Sequence, residues 1–302
     1  MQFLNRWIYS KISKLFMNGC SDYNTLEVRK NSRTKLQARQ NFQENSVPHA
    51  EGTLFYNPMQ AYRFVKKHGF PVVIKPNVSG YSRGSHFPIR NYRELWKAAL
   101  LVKIWWPGSI IEKYLEGKNY RVVVIKNEIM SVILRYPPFV TGNGISTILE
   151  LIKDENRSRN EMKLFPVMHP IAINRRTRNF LKKSNLNLSS IPETDERIHL
   201  YNKVALAPGG IVETVDKNSI SPKNREMFLN ILDSFKAGIF GIDVIFEKGI
   251  EIDYDQQKCI FLELNSRPYL KMHDYPRYGS KPKLEKYYHH LNQIKLSDSG
   301  VF

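Results

Sequence analysis

Cys259-Ile-Phe-Leu-Glu263-Leu-Asn265-Ser-Arg-Pro268 is the stretch on which the reading of this chain turns. It reads as an apolar strand carrying Glu263 and Asn265 two residues apart. Side chains at i and i+2 leave a strand on the same face. A carboxylate and an amide oxygen then stand side by side, a hard donor pair suited to Mg²⁺. Just upstream, Gly238-Ile-Phe-Gly241-Ile-Asp243-Val-Ile-Phe246 places one carboxylate in a second apolar strand. If the two strands pair, Asp243, Glu263 and Asn265 converge on one metal site. The plainer reading is a strand end whose polar residues face water, and the rest of the chain has to decide between the two.

Size and composition set the outer limits. The chain has 302 residues, enough for a sizeable core and one or two domains. At 42% hydrophobic and 25% charged it reads as globular and soluble. Lys+Arg 46 against Asp+Glu 28 gives a net charge of +18, which favours anionic partners: nucleotide phosphates, acidic substrates, nucleic acid or an anionic membrane. The charge is spread along the chain and does not choose among them. Two cysteines far apart, Cys20 and Cys259, give no disulfide framework and lead us to expect a cytoplasmic protein. No apolar run reaches the ~18–20 residues that span a bilayer. Lys11 and Lys14 break up the N-terminal apolar segment, so it is a poor signal peptide.

Residues 1–18 place Phe3, Leu4, Trp7, Ile8, Ile12, Leu15 and Phe16 on one helical face, with Arg6, Lys11 and Lys14 elsewhere. Such a helix packs on its own domain or lies on a membrane surface. Asn31-Ser32 reads as the cap of a second, mostly polar helix over about 33–44. Then follow a helix over 58–68, a short strand ending on Lys75, a loop over 77–85, a helix over 91–103 and a strand over 108–115. Strands over 120–125 and 128–136 form a hairpin turning near Asn127. A helix opens at Ser146, Arg-rich segments follow over 153–183, and Ser221-Pro222 opens a helix reaching about residue 238. Trp96, Trp105 and Trp106 suit a helix–strand junction in the core.

The loop after Lys75 holds Gly80 and Gly84 around Ser82 and Arg83. Glycines let backbone N–H groups approach phosphate oxygens, and a strand-end lysine beside such a loop is the arrangement ATP binding needs. The alternative is a surface hairpin with a snorkelling lysine. Neither GxxxxGK[ST] nor GxGxxG follows a strand, so P-loop and Rossmann binding are not indicated.

Taken in order, several blocks make the chain resemble the ATP-grasp carboxylate–amine ligases, in particular the ATP-grasp module of cyanophycin synthetases and of bifunctional glutathione synthetases. They are Phe70-Pro-Val-Val-Ile-Lys-Pro76, Ser82-Arg-Gly84, Ile111-Glu-Lys-Tyr-Leu-Glu-Gly117 with Tyr120-Arg121, and Arg135-Tyr-Pro-Pro-Phe-Val-Thr-Gly-Asn-Gly144. Gly209-Gly210, Gly241-Ile-Asp243, Glu263-Leu-Asn265 and Leu270-Lys-Met-His273 complete the series. The resemblance implies an α+β fold of two lobes clasping ATP. It divides the chain into an N-terminal helical segment (1–51), a small lid (52–118), a large lobe with the Mg²⁺ site (119–290) and a tail (291–302).

The resemblance also implies roles. ATP would be bound by Lys75, Ser82, Arg83, Gly84, Glu112, Lys113, Tyr114, Leu115, Asn119 and Lys203, with adenine on the backbone of 113–115. Asp243, Glu263 and Asn265 would hold two Mg²⁺ ions. Arg121 and Arg135 would face an acyl phosphate or the substrate carboxylate. The implied activity is amide formation between a carboxylate and an amine, on an amino acid or acidic peptide, through an acyl phosphate. The chain departs from the family pattern in having Asn119 where an acid is usual, and Ala205, Ala207 and Pro208 before the glycine pair. Arg33 is a loose match to an early phosphate-contacting lysine. Nucleic acid is not an expected partner, and a homo-oligomer stays open. The competing readings are a basic nucleic-acid or protein binding module, and a reduced-activity subunit on the same scaffold.

Overall fold

A computed structural model describes residues 24–32, 34–78 and 84–288. The helix expected over 1–18, Arg33, Ser82, Arg83 and the tail over 291–302 lie outside the described residues. Among the described residues two helices come first, α1 (Leu26–Asn31) and α2 (Lys35–Glu44). The cap of α2 is Thr34, not Asn31-Ser32. Its hydroxyl accepts from the Gln37 N–H at 3.1 Å, and the Gln37 side chain accepts from the Thr34 N–H at 3.2 Å. Although α2 is polar in composition, it buries Ala38 and Phe42. The Phe42 ring meets Phe261 edge-on at 6.1 Å.

The small lobe follows: β1 (Gly52–Phe55), α3 (Pro58–His68), β2 (Val72–Pro76), β3 (His86–Ile89), α4 (Tyr92–Leu101) and β4 (Ser109–Lys113). The strands form an antiparallel sheet in the order β1-β4-β2-β3. Strand β3 holds Pro88, which is tolerated because β3 lies at the sheet edge. Val72, Ile74 and Ile111 pack beneath Phe64, Val65, Leu95 and Ala99 of the two helices. Lys75 and Glu112 are one residue out of phase and so emerge on the opposite face. The three tryptophans depart from the core placement expected of them: Trp96 is 37% exposed, Trp105 is 43% exposed and Trp106 is half-buried.

The large lobe is built on β5 (Lys118–Ile125), β6 (Glu128–Tyr136), β7 (Phe139–Thr141), α5 (Ile148–Glu161), α6 (Arg175–Lys182), β8 (Arg197–His199), β9 (Ile211–Val215), α7 (Pro222–Ser234), β10 (Ile239–Phe246), β11 (Cys259–Asn265) and α8 (Lys271–Asp274). Five strands pair antiparallel in the order β11-β10-β5-β6-β9, while β7 and β8 pair separately. The β5–β6 hairpin turns through Lys126, at φ 48°. Helix α5 starts one residue later than the sequence suggested: Thr147 caps it, and Thr147 with Glu150 restores the standard capping-box spacing. One sheet face presents Val122, Val124, Ile242 and Val244 to Phe228, Ile231 and Leu232 of α7, and this core also receives Phe42. The alternate residues of the same strands, Arg121 and Asp243 among them, leave on the other face. Among the described residues, no helix is long and apolar enough to cross a membrane.

Because Phe42 ties the polar helix α2 to β11, Phe42→Ala is expected to lower the unfolding free energy by about 3–5 kcal/mol. The measurement is a urea titration, and an unchanged midpoint would show that α2 adds little to the large-lobe core.

Candidate active site

Strands β10 and β11 pair in the register that puts Asp243 opposite Glu263 and Gly241 opposite Asn265. A Cβ at position 241 would lie 2.8 Å from Pro268, so the missing side chain lets the segment after β11 fold back against β10. The Asn265 amide donates to the Gly241 carbonyl at 3.3 Å and reaches the Glu263 carboxylate at 3.4 Å. The three residues singled out from the sequence thus lie side by side, with Glu263 one-third exposed and Asp243 buried. Two carboxylates and an amide form an oxygen-rich set that fits a hard divalent cation.

The neighbour of Asp243 across β5 is Arg121. Its Nε and Nη2 donate to the two carboxylate oxygens of Asp243 at 2.5 and 2.8 Å. Arg135 of β6 adds Nη2 at 3.0 Å from Oδ2. Burial pushes the Asp243 carboxyl up, but the two guanidinium charges outweigh it and hold the pKa at about 2. All three groups are buried. Arg121 also lies 4.0 Å from Glu263, so the pair joins the exposed carboxylate to the buried one. Beneath them His273 bonds to the Ser131 hydroxyl at 3.0 Å. Burial, and then the two arginines, push its pKa down to about 3 and keep it neutral.

On the small lobe, Lys75 is buried and paired with Glu112 at 2.6 Å. Glu112 is therefore the counter-ion of Lys75 rather than an open ligand. Lys35, at the start of α2, was not singled out from the sequence. Its ammonium lies 3.8 Å from Glu263, and burial lowers its pKa, with further lowering from Lys75. Its N–H donates to the carbonyl of Asn77 at 3.2 Å, where the chain leaves β2. Two lysines thus stand at the site: Lys35 beside Glu263, and Lys75 close enough to lower the pKa of Lys35. Nothing in sequence distinguishes Lys35 among 46 basic residues except its place in the first helical turn after Thr34.

Other expected site residues are engaged differently. The Lys113 ammonium is turned to the carbonyls of His68, Gly69 and Phe70 at 2.8, 3.1 and 3.4 Å, closing the end of α3 and not facing a phosphate. The Asn119 amide oxygen accepts from Arg135 Nε and Nη2 at 2.9 and 2.6 Å. That contact positions the arginine and takes the oxygen away from a ribose. The N–H of Lys113 donates to Glu51 and that of Tyr114 to Pro71, while the Tyr114 ring stacks on Phe87. Gly84, at φ +69°, packs against Trp105, where a Cβ would lie 2.6 Å from the ring. Lys203 is substantially buried, and burial lowers its pKa with help from Arg176. Its neighbour Asn202 donates to the carbonyl of Phe87 at 2.6 Å, so this loop of the large lobe reaches the edge strand of the small one. Burial pushes the Cys259 thiol up to about 12, which leaves it a poor nucleophile.

Two antiparallel sheets facing each other, one with an acidic pair and an amide and the other with a buried lysine, make the ATP-grasp arrangement, and the chain adopts the ATP-grasp fold. The crystal structure of a bifunctional glutathione synthetase from Pasteurella multocida matches with a TM-score of 0.63 and 20% identity, covering 91% of this chain and 38% of that one. In sequence the chain is 30% identical over 256 residues to the glutathione biosynthesis bifunctional protein GshAB of Clostridium perfringens, covering 82% of this chain and 32% of that protein. It is 30% identical over 215 residues to the cyanophycin synthetase of Synechocystis sp., covering 70% and 24%. The chain therefore spans a third or less of the length of these two curated relatives. No protein-family model matches it.

Asp243 titrates lower in the folded protein, at about 2, than its ordinary 3.8. It therefore contributes stability that is present above the ordinary value and lost as the pH falls toward the folded one, on the order of 2 kcal/mol. Urea titrations should show that Asp243→Asn removes this part of the acid destabilisation. At neutral pH the same variant should lose about 3–5 kcal/mol, because two buried arginines lose their counter-ion. An undiminished acid loss in the variant would show that the pairing does not set the pKa.

Proposed function

We propose that the protein is an ATP- and Mg²⁺-dependent ligase joining a carboxylate to an amine through an acyl phosphate. The observation that carries this reading is the placement of Lys35 beside Glu263, with Lys75 near enough to lower its pKa and with Asn265 and the Arg121–Asp243–Arg135 cluster adjoining Glu263. Glu263 and Asn265, with Asp243 behind them, would hold Mg²⁺. When bound, the ion supplies neutralisation of charge on the transferred phosphoryl group. Lys75 and Lys35 would bind the triphosphate, Glu112 keeping Lys75 in place. With the amides of Lys113 and Tyr114 committed to Glu51 and Pro71, the Leu115 N–H is the hinge donor left for an adenine ring nitrogen.

Arg121 and Arg135 would meet a planar oxyanion through the N–H groups that Asp243 and Asn119 do not take. Both are held by Asp243, and Arg135 also by Asn119, so neither side chain needs to be ordered when substrate arrives. In the first step a substrate carboxylate oxygen bonds to the γ-phosphorus and ADP leaves. In the second an amine nitrogen bonds to the carbonyl carbon, phosphate leaves and the nitrogen gives up a proton. An acyl phosphate must be kept from water, which fits a small lobe covering the site. The names of the relatives support amino acids or acidic peptides as the substrate class. Within the arginine-rich segments Arg159 is taken up inside the fold, on Glu155 and on the carbonyls of His169 and Gly209, while Arg157, Arg175, Arg176 and Arg178 are exposed.

Glu263→Gln is the clean test, because Glu263 is one-third exposed and its loss leaves the buried cluster paired. Wild type should release phosphate with at least one amino-acid or acidic-peptide combination, with the amide product seen by mass. The variant should lose activity by about 100-fold or more with an unchanged unfolding midpoint. Full activity in the variant would remove the metal-site assignment. Lys35→Ala should raise the KM for ATP by about tenfold, equivalent to about 1.4 kcal/mol, with a smaller effect on kcat. An unchanged KM would remove Lys35 from the phosphate site.

A further inference from the structure

The small lobe carries most of the exposed large apolar side chains of the described residues. Eight of fifteen fall between positions 56 and 105: Tyr56, Met59, Tyr92, Trp96, Leu100, Leu101, Ile104 and Trp105. They are not scattered. Tyr92, Trp96 and Leu100 recur every fourth residue along α4, and Ile104 continues the stripe; Leu100 is 60% and Ile104 73% exposed. Tyr62 of α3 joins the stripe, its ring 5.5 Å from Tyr92 and 5.9 Å from Trp96. A contiguous exposed apolar patch of this kind marks an interaction surface.

Charge selects what covers it. Between positions 56 and 105 the only acid is Glu94, and it accepts from the Arg90 N–H at 2.8 Å. Arg63, Lys66, Lys67, Arg90, Arg93 and Lys97 are all exposed around the stripe. Six positive charges against Glu94 and the exposed Glu51, which pairs with His68 at the end of α3, give about +4 on this face. A second copy of the chain would bring like charge onto like charge. The amphipathic stretch 1–18 is also basic, with Arg6, Lys11, Lys14 and no acid, so it is an equally poor match. Nucleic acid would satisfy the charges but would leave Leu100, Leu101 and Ile104 without a stacking role. Aliphatic side chains beneath aromatic rings, rimmed by Lys and Arg, match the acyl–headgroup boundary of an anionic bilayer.

We propose that the small lobe docks on an anionic membrane surface through the outer face of α3 and α4. The cleft residues Lys75 and Glu112 emerge on the other face of the same sheet, so docking leaves the cleft open to the aqueous side. The proposal does not depend on the ligase reading, and its test needs no substrate.

The experiment uses the full chain with Trp7→Phe, so that Trp96, Trp105 and Trp106 are the only tryptophan reporters. Vesicles of phosphatidylcholine with about one-third phosphatidylserine are compared with phosphatidylcholine alone. Tryptophan emission should shift to the blue and be quenched by brominated acyl chains only with the anionic vesicles. Trp96→Ser with Leu100→Ser and Ile104→Ser should abolish the shift, read on the remaining tryptophans. Reversal of Lys66, Lys67 and Lys97 to Glu should lower vesicle co-sedimentation by about tenfold or more, with circular dichroism confirming the fold. No emission shift in the Trp7→Phe protein would overturn the proposal. So would equal binding to neutral vesicles, undiminished sedimentation of the charge-reversed variant, a concentration-dependent dimer lost on serine substitution, or oligonucleotides displacing the vesicles.

Discussion

The site depends on one buried carboxylate. Asp243 lies in the middle of the large-lobe sheet, and two guanidinium groups from the next two strands close on it. Burying three charges together is costly unless their hydrogen bonds are met. Here the fork of Arg121 occupies both oxygens of Asp243, while Arg135 is split between Asp243 and Asn119. The cluster locks the register of β10, β5 and β6 as firmly as the apolar face does. It also makes Asp243 a structural residue as well as a candidate ligand, so a loss of activity on its substitution would not by itself establish a role in chemistry.

From that cluster the charge pattern runs outward in alternation. Asp243 is negative, Arg121 and Arg135 are positive, Glu263 is negative, and Lys35 and Lys75 are positive with Glu112 behind. Each charge is held by the next, so none has to be drawn out of water when a ligand arrives. Lys35 is the least settled member: burial and Lys75 disfavour its charge, while Glu263 first, and then Glu112 and Asp243, favour it. An incoming polyanion would relieve both effects at once, the direction expected of a phosphate-binding lysine.

The strands bearing the site were legible because their chemistry is periodic. Glu263 and Asn265 two residues apart, and Asp243 within an apolar run, fix a face as soon as the strands pair. The hairpin over β5 and β6 was legible for the same reason, through its alternation. What stayed hidden was pairing between residues distant in sequence. Arg121 and Arg135 could be recognised as basic residues on strands, but not as the two halves of a clamp on Asp243. Asn119 reads as a weaker acceptor standing where an acid is usual, whereas its register partner is Arg135 and its oxygen is taken there. Lys113 read as a phosphate ligand until its ammonium was found among three carbonyls at the end of α3. Lys35 was hidden by composition, one lysine in a chain with many.

The tryptophans carry a different lesson. A Trp-rich helix leading into a strand suggests core, because large rings are usually buried on average. In α4 the small residues Ala98 and Ala99, with Leu95, take the inward positions and leave no room there for larger ones. The bulky side chains are left to the outer positions at the same helical period. Pattern alone cannot tell which of two apolar stripes on a helix faces the sheet; the smaller residues do, since they allow the helix to approach it closely. With the inner stripe satisfied by Leu95, Ala98 and Ala99, the outer one is engaged only in part: Tyr92 meets Tyr62 and Phe70 and Trp96 stacks on Tyr62, while Leu100 and Ile104 stay exposed. The apolar area left exposed at Leu100 and Ile104 is the part the fold does not use, and the single acid across that stretch of sequence makes a surface bearing negative charge the partner that our proposal assigns to it.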